Sequence, residues 1–122
     1  MGLSVVVLQK DPAIAQSLAG GLRSLFNSVH VSGSHRELRD LVVQHFPDVA
    51  VLDVEALQFA DVAKLHQDFP SLLILCTHRI PDEELWMAAL EAGAVDVCPS
   101  YDVEAILASI LRSVALAQGT AA

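Results

Sequence analysis

VVVLQKDP, residues 5–12, is the stretch that decides the fold. Val5, Val6, Val7 and Leu8 form an unbroken apolar run rich in β-branched residues, the pattern of a strand buried on both faces. Gln9 and Lys10 end the run. Asp11-Pro12 then supplies a helix N-cap followed by proline at the first helical position. Ile14, Leu18, Leu22 and Leu25 follow at helical spacing. A buried strand that passes straight into an amphipathic helix is the repeating unit of a parallel α/β sheet.

Working outward, the first strand spans Leu3 to Leu8, and the same handover recurs along the chain. Val29 to Ser32 is a short second strand. Ser34 and Glu37 make an S-x-x-E capping box ahead of Leu38, Leu41, Val42 and His45, and Pro47-Asp48 breaks that helix. Val49 to Leu52 is a third strand ending at Asp53. A weaker helix around Asp61 to Asp68 turns Val62, Leu65 and Phe69 inward and stops at Pro70. Leu72 to Cys76 is a fourth strand ending at Thr77. Pro81-Asp82 opens a helix to about Ala92, which Gly93 caps. Val95 to Cys98 is a fifth strand, and Asp102 caps a last helix through Leu116. The order (βα)5 predicts an α/β fold: a mainly parallel five-stranded sheet covered by helices on both faces, with right-handed crossovers. Residues 1–118 form one domain in this reading, and 119–122 are a tail or the start of a linker.

Composition agrees and narrows function. The chain has 122 residues, 53% hydrophobic and 18% charged, which suits one globular domain rather than disorder. A formal charge of −8 disfavours phosphate backbones, so no nucleic-acid contact is expected of this domain. No apolar run approaches membrane-spanning length, and no signal peptide is recognisable at the start. Cys76 and Cys98 lie in apolar strand-like runs, as structural cysteines of a reducing cytoplasm would. The five histidines have no metal-ligand spacing, and His78 follows Thr77 where it could hydrogen-bond. Neither a dinucleotide fingerprint nor a P-loop is present, which argues against a third class of reading, a flavodoxin-like enzyme or ligand-binding domain.

In such a sheet the carboxyl ends of the strands make one rim. It collects Gln9, Lys10 and Asp11, then Asp53 and Glu55, then Thr77, then Pro99 and Ser100. A carboxylate, a hydroxyl and an ammonium on one rim suit an anion or phosphoryl site. Rims are also polar simply because they meet water.

From end to end the chain resembles the receiver domain of two-component response regulators, which implies a flavodoxin-like (βα)5 three-layer sandwich with strand order 2-1-3-4-5. PDVAVLDVEAL (47–57) is similar to the family's third strand, LLILCTHR (72–79) to its fourth, and AALEAGAVDVCPS (88–100) to its fourth helix, glycine cap and fifth strand. The resemblance implies Asp53 as phospho-acceptor and Thr77 as switch hydroxyl, with no turnover beyond autophosphorylation of Asp53 from a phosphodonor. It also marks departures. The family's two Mg²⁺-binding acids at the end of the first strand are here Gln9 and Lys10. Its lysine at the end of the fifth strand is Ser100, its switch aromatic is Val97, and its Met-Pro after the acceptor is Ala56-Leu57. Mg²⁺ is therefore expected to bind weakly or not at all.

The main expectation is an atypical receiver, acting by protein–protein interaction with a sensor kinase or an output domain in a bacterial-type cytoplasm. Lys10 is expected to stand in for the cation by pairing with Asp53 and lowering its pKa. The alternative is a conventional receiver that binds Mg²⁺ through Asp53, Asp11 and the vicinity of Glu55. A homodimer is expected through the face of the fourth helix, fifth strand and fifth helix, with Trp86, Leu90, Ile106 and Ile110.

Overall fold

The structure is a computed structural model that describes residues 3–119. The elements run β1 (Ser4–Leu8), α1 (Pro12–Leu22), β2 (Ser28–Ser32), α2 (His35–His45), β3 (Val49–Asp53), α3 (Phe59–Asp68), β4 (Leu73–His78), α4 (Glu83–Glu91), β5 (Asp96–Pro99) and α5 (Val103–Gly119). The sheet is parallel throughout, in the order β2-β1-β3-β4-β5. This is the expected (βα)5 architecture. The last helix runs past Leu116 to Gly119, so the expected tail keeps only residues 120–122, which lie outside the described residues.

The unbroken apolar strands split their side chains between two cores, as a pleat with a two-residue period requires. Val5 and Val7 of β1, with Val49, Val51 and Leu75, pack under α1 and α5 through Leu18, Leu22, Ile106 and Ile110. Val6, Leu8, Ala50, Leu52 and Ile74 face the other way, against α2, α3 and α4 through Leu38, Val42, Val62, Leu65 and Ala89. Each fully buried Val, Leu or Ile stabilises the fold by roughly 1.5–3 kcal/mol.

The helix starts are set locally. Asp11 Oδ1 accepts the N–H groups of Ala13 at 2.9 Å and Ile14 at 3.3 Å, and Pro12 opens α1. Ser34 Oγ accepts Glu37 N–H at 3.3 Å, Asp82 Oδ1 accepts Leu85 N–H at 2.8 Å, and Asp102 Oδ1 accepts Ala105 N–H at 3.0 Å. α3 begins at Phe59, earlier than its apolar spacing suggests, because Asp61 Oδ2 accepts Gln58 N–H at 3.1 Å and fixes the turn before it. Gly93 ends the α4 segment with φ +109°, and a Cβ there would lie 2.5 Å from the His66 ring. Glycine is the residue that meets both demands.

Two members of the expected dimer face are corrected. Ile106 is 0% and Ile110 2% exposed, because α5 lays them into the core beneath β1, β3 and β4. Trp86, at 43%, stays exposed on α4, and Leu90 is half-buried. The exposed large apolar residues of α5 are Leu111 and Leu116, among the described side chains. The breadth of apolar character along α5 therefore marks a core stripe plus a few outward residues.

Candidate functional site

The register of the sheet brings the rim residues together. β3 and β4 pair Asp53 with Thr77, β1 ends beside β3 at Leu8–Leu52, and β4 pairs His78 with Pro99 of β5. Above these ends lies a cleft of about 190 Å³ lined by Gln9, Lys10, Asp11, Ile14, Asp53, Glu55, Arg79 and Ser100. Thr77 is buried next to Asp53 without lining the cleft, and its carbonyl accepts Val54 N–H at 2.9 Å.

Asp53 is only 5% exposed. Its Oδ1 accepts Glu55 N–H at 3.2 Å. Burial pushes its pKa above the ordinary carboxylate value; the Glu55 N–H, nearby His78 and the Gln9 amide pull it back only in part. Gln9, 4% exposed, points its Oε1 at Asp11 N–H at 3.0 Å, and its Nε2 has no partner within hydrogen-bond distance. The Ser100 hydroxyl is likewise buried and unpartnered.

Lys10 does not take the role expected of it. It lines the cleft, yet it is exposed and forms no ion pair among the described residues. The Asp53 pKa moves up rather than down. The reason is positional: Lys10 sits in the turn ahead of the Asp11 cap, and its long, strongly hydrated side chain keeps its ammonium in water.

The cation that is fixed at this rim is Arg79, a residue the sequence reading did not single out. Its backbone N–H donates to Glu55 Oε1 at 3.0 Å, and its Nε reaches Glu55 Oε1 at 3.1 Å and Oε2 at 3.0 Å. His78 Nε2 lies 3.7 Å from Glu55 Oε1, while its Nδ1 accepts Ile80 N–H at 3.0 Å. These contacts hold the Glu55 pKa below its usual value, Arg79 first among the causes. The only sequence signal was the arginine two positions past Thr77. Its partner lies 24 residues away, a pairing that no local pattern encodes.

The resemblance implied a Mg²⁺ site, so the donor set was compared with what that ion requires. Mg²⁺ takes near-octahedral oxygen ligands and favours carboxylates. Gln9 offers one neutral oxygen, already bonded to Asp11 N–H. Asp11 Oδ1 is occupied by the α1 cap, and both Glu55 oxygens are bonded to Arg79. Asp53, Asp11 and Glu55 share the cleft, but as arranged they do not fit the ion, and no group of three or more His, Cys, Asp or Glu suited to a metal occurs among the described residues.

The two cysteines are free and buried. Burial, chiefly, pushes the Cys76 thiol up to about 12 and the Cys98 thiol to about 11. Both are inert packing residues of β4 and β5 at neutral pH.

No protein-family model matches the chain. Its sequence is 29% identical over 115 residues to Response regulator MprA of Mycolicibacterium vanbaalenii, covering 88% of this chain and 48% of that protein. The chain thus spans about half the length of that curated relative. The fold matches the signal receiver domain of a DNA-binding response regulator from Colwellia psychrerythraea with a TM-score of 0.82 at 15% identity, over 92% of this chain and 97% of that one. It also matches an atypical orphan response regulator, whose structure revealed a phosphorylation-independent regulatory mechanism, with a TM-score of 0.76 at 19% identity, over 87% and 90% of the two chains. The fold is that of response regulator receiver domains. The sequence likeness to MprA supports the same class. No helix among the described residues is long and apolar enough to cross a membrane.

Proposed function

We propose that this chain is an atypical receiver domain that signals by protein–protein contact, without a Mg²⁺-dependent phosphorylation cycle at Asp53. One observation carries the reading. The carboxylates that could join Asp53 around a metal are replaced, by Gln9 and Lys10, or engaged, Glu55 by Arg79 and Asp11 by the α1 cap. The likeness to an orphan regulator with a phosphorylation-independent mechanism is in keeping with it. On this reading the domain is not an enzyme and works in the cytoplasm. Its partners are proteins: a sensor kinase, or an output domain of the kind that would fill the other half of a protein as long as MprA. Trp86 and Met87 on α4, with Leu111 and Leu116 on α5, are large apolar residues left outward for such a contact, and Leu90 is half-buried beside them in sequence.

A second reading has an observation of its own. Asp53 stands buried at the end of β3 in register with Thr77, the pair a conventional receiver would phosphorylate and switch. Intact-protein mass spectrometry after treatment with acetyl phosphate separates the two. The atypical reading expects no adduct on the wild type with or without Mg²⁺. A Mg²⁺-dependent adduct that disappears in Asp53→Asn overturns it and establishes the conventional receiver.

A further inference from the structure

Three carboxylates face one small cleft: Asp11, Asp53 and Glu55. Like charges gathered this closely repel one another, and something must compensate them. Lys10 is exposed and unpaired among the described residues. Arg79 is held at both ends, its main-chain N–H and its Nε both bonded to Glu55. The Nε–H, shared between both Glu55 oxygens, and the main-chain N–H together fix where its charge sits, which a flexible ammonium would not do.

We infer that Arg79 is the resident counter-ion of this cleft: it engages Glu55 and thereby keeps that carboxylate from joining Asp53 around a divalent cation. The inference rests on the reading of the domain as one that works without Mg²⁺, and it adds the cause. The exposed pair itself contributes little stability. Its effect is on which ions the cleft admits.

Removing Arg79 does two things at once. It frees Glu55 Oε2, while Oε1 still accepts the main-chain N–H of position 79, and it makes the cleft more negative by one charge. The test is a Mg²⁺ titration of the intact chain followed by the amide resonances of Lys10, Asp11, Val54, Glu55 and Ala56. Arg79→Ala is expected to bind Mg²⁺ about tenfold tighter than wild type, since a positive charge beside a divalent ion opposes its binding and a freed carboxylate oxygen favours it. Arg79→Lys keeps the charge without the guanidinium clasp, and is expected to fall between wild type and Arg79→Ala. Glu55→Gln breaks the same clasp but removes a ligand, and is expected to gain nothing.

Superimposable titrations of wild type and Arg79→Ala overturn the inference. Equal gains in Arg79→Ala and Glu55→Gln also overturn it, because a merely loosened loop would then explain both. If Arg79→Ala loses its dispersed spectrum, Arg79→Gln, which keeps most of the stem, decides by the same criterion. The underlying reading fails separately, by its own signal: a phosphoryl adduct on wild-type Asp53 in the presence of Mg²⁺. An adduct formed in EDTA would overturn that reading and leave the role of Arg79 standing.

Discussion

Asp53 closes the central strand β3, Asp96 opens the edge strand β5, and the two carboxylates are treated in opposite ways. Asp96 opens β5. Its Oδ1 accepts Val97 N–H at 2.8 Å and Trp86 Nε1–H at 3.4 Å; its Oδ2 accepts Ser109 Oγ–H at 2.7 Å and lies 3.4 Å from Arg112 Nη2. Both oxygens are used, and one of the donors is a cation. Asp53 closes β3, is more deeply buried, and has one backbone donor within hydrogen-bond distance, Glu55 N–H. A carboxylate satisfied from every side ties together α4, β5 and α5 and has no capacity left. A buried carboxylate left under-satisfied carries a cost that structure alone does not repay, which is the pattern of residues kept for function.

The comparison can be broken most easily at Asp96. Asp96→Ala is expected to lose about 2 kcal/mol in urea unfolding, since it strands the fully buried Ser109 hydroxyl and unties Trp86 and Arg112. A loss within experimental error would mean that its contacts are decorative. Ser109→Ala removes one bond of that set and is expected to cost about 1 kcal/mol.

At Asp53 the sign reverses. Asp53→Asn is expected to stabilise the fold by about 1 kcal/mol at neutral pH, by removing a poorly compensated buried charge. Because the folded pKa of Asp53 is raised, its ionisation opposes folding as pH climbs through that raised value. The advantage of the Asn variant should therefore be full above the raised value and vanish as pH falls below the ordinary 3.8. An advantage that grows on acidification would contradict the raised pKa. Glu55 should show the opposite slope: its lowered folded pKa supports the fold above the ordinary 4.5 and is lost as pH falls through the lowered value, so any cost of Glu55→Gln should fade in acid. The smallest effect belongs to Lys10→Ala, expected within about 0.5 kcal/mol of wild type because the side chain is exposed and unpaired. A large loss there would restore the Lys10–Asp53 pair.

Much of the site was legible before the structure. Asp53, Thr77 and Ser100 fall at strand ends because each apolar run stops there, and a parallel sheet puts all such ends on one rim. Asp11 was legible as a cap because its partners are two and three residues away. What failed was charge pairing. Lys10 is adjacent in sequence to the site and turns to solvent; Arg79 and Glu55 meet across 24 positions. Asp96 escaped notice for the same reason, its side-chain donors lying on α4 and on α5 rather than nearby in the chain.

The sequence by itself determined the ten elements, their parallel arrangement and the two-sided core, because hydrophobic period, caps and breakers act over a few residues and agree with one another. Tertiary structure alone decided which side of α5 is core, which cation meets which carboxylate, and that Asp53 is buried without one. Those outcomes depend on distances between side chains on different elements, and on whether each charge stays in water or is held, which one-dimensional spacing does not contain.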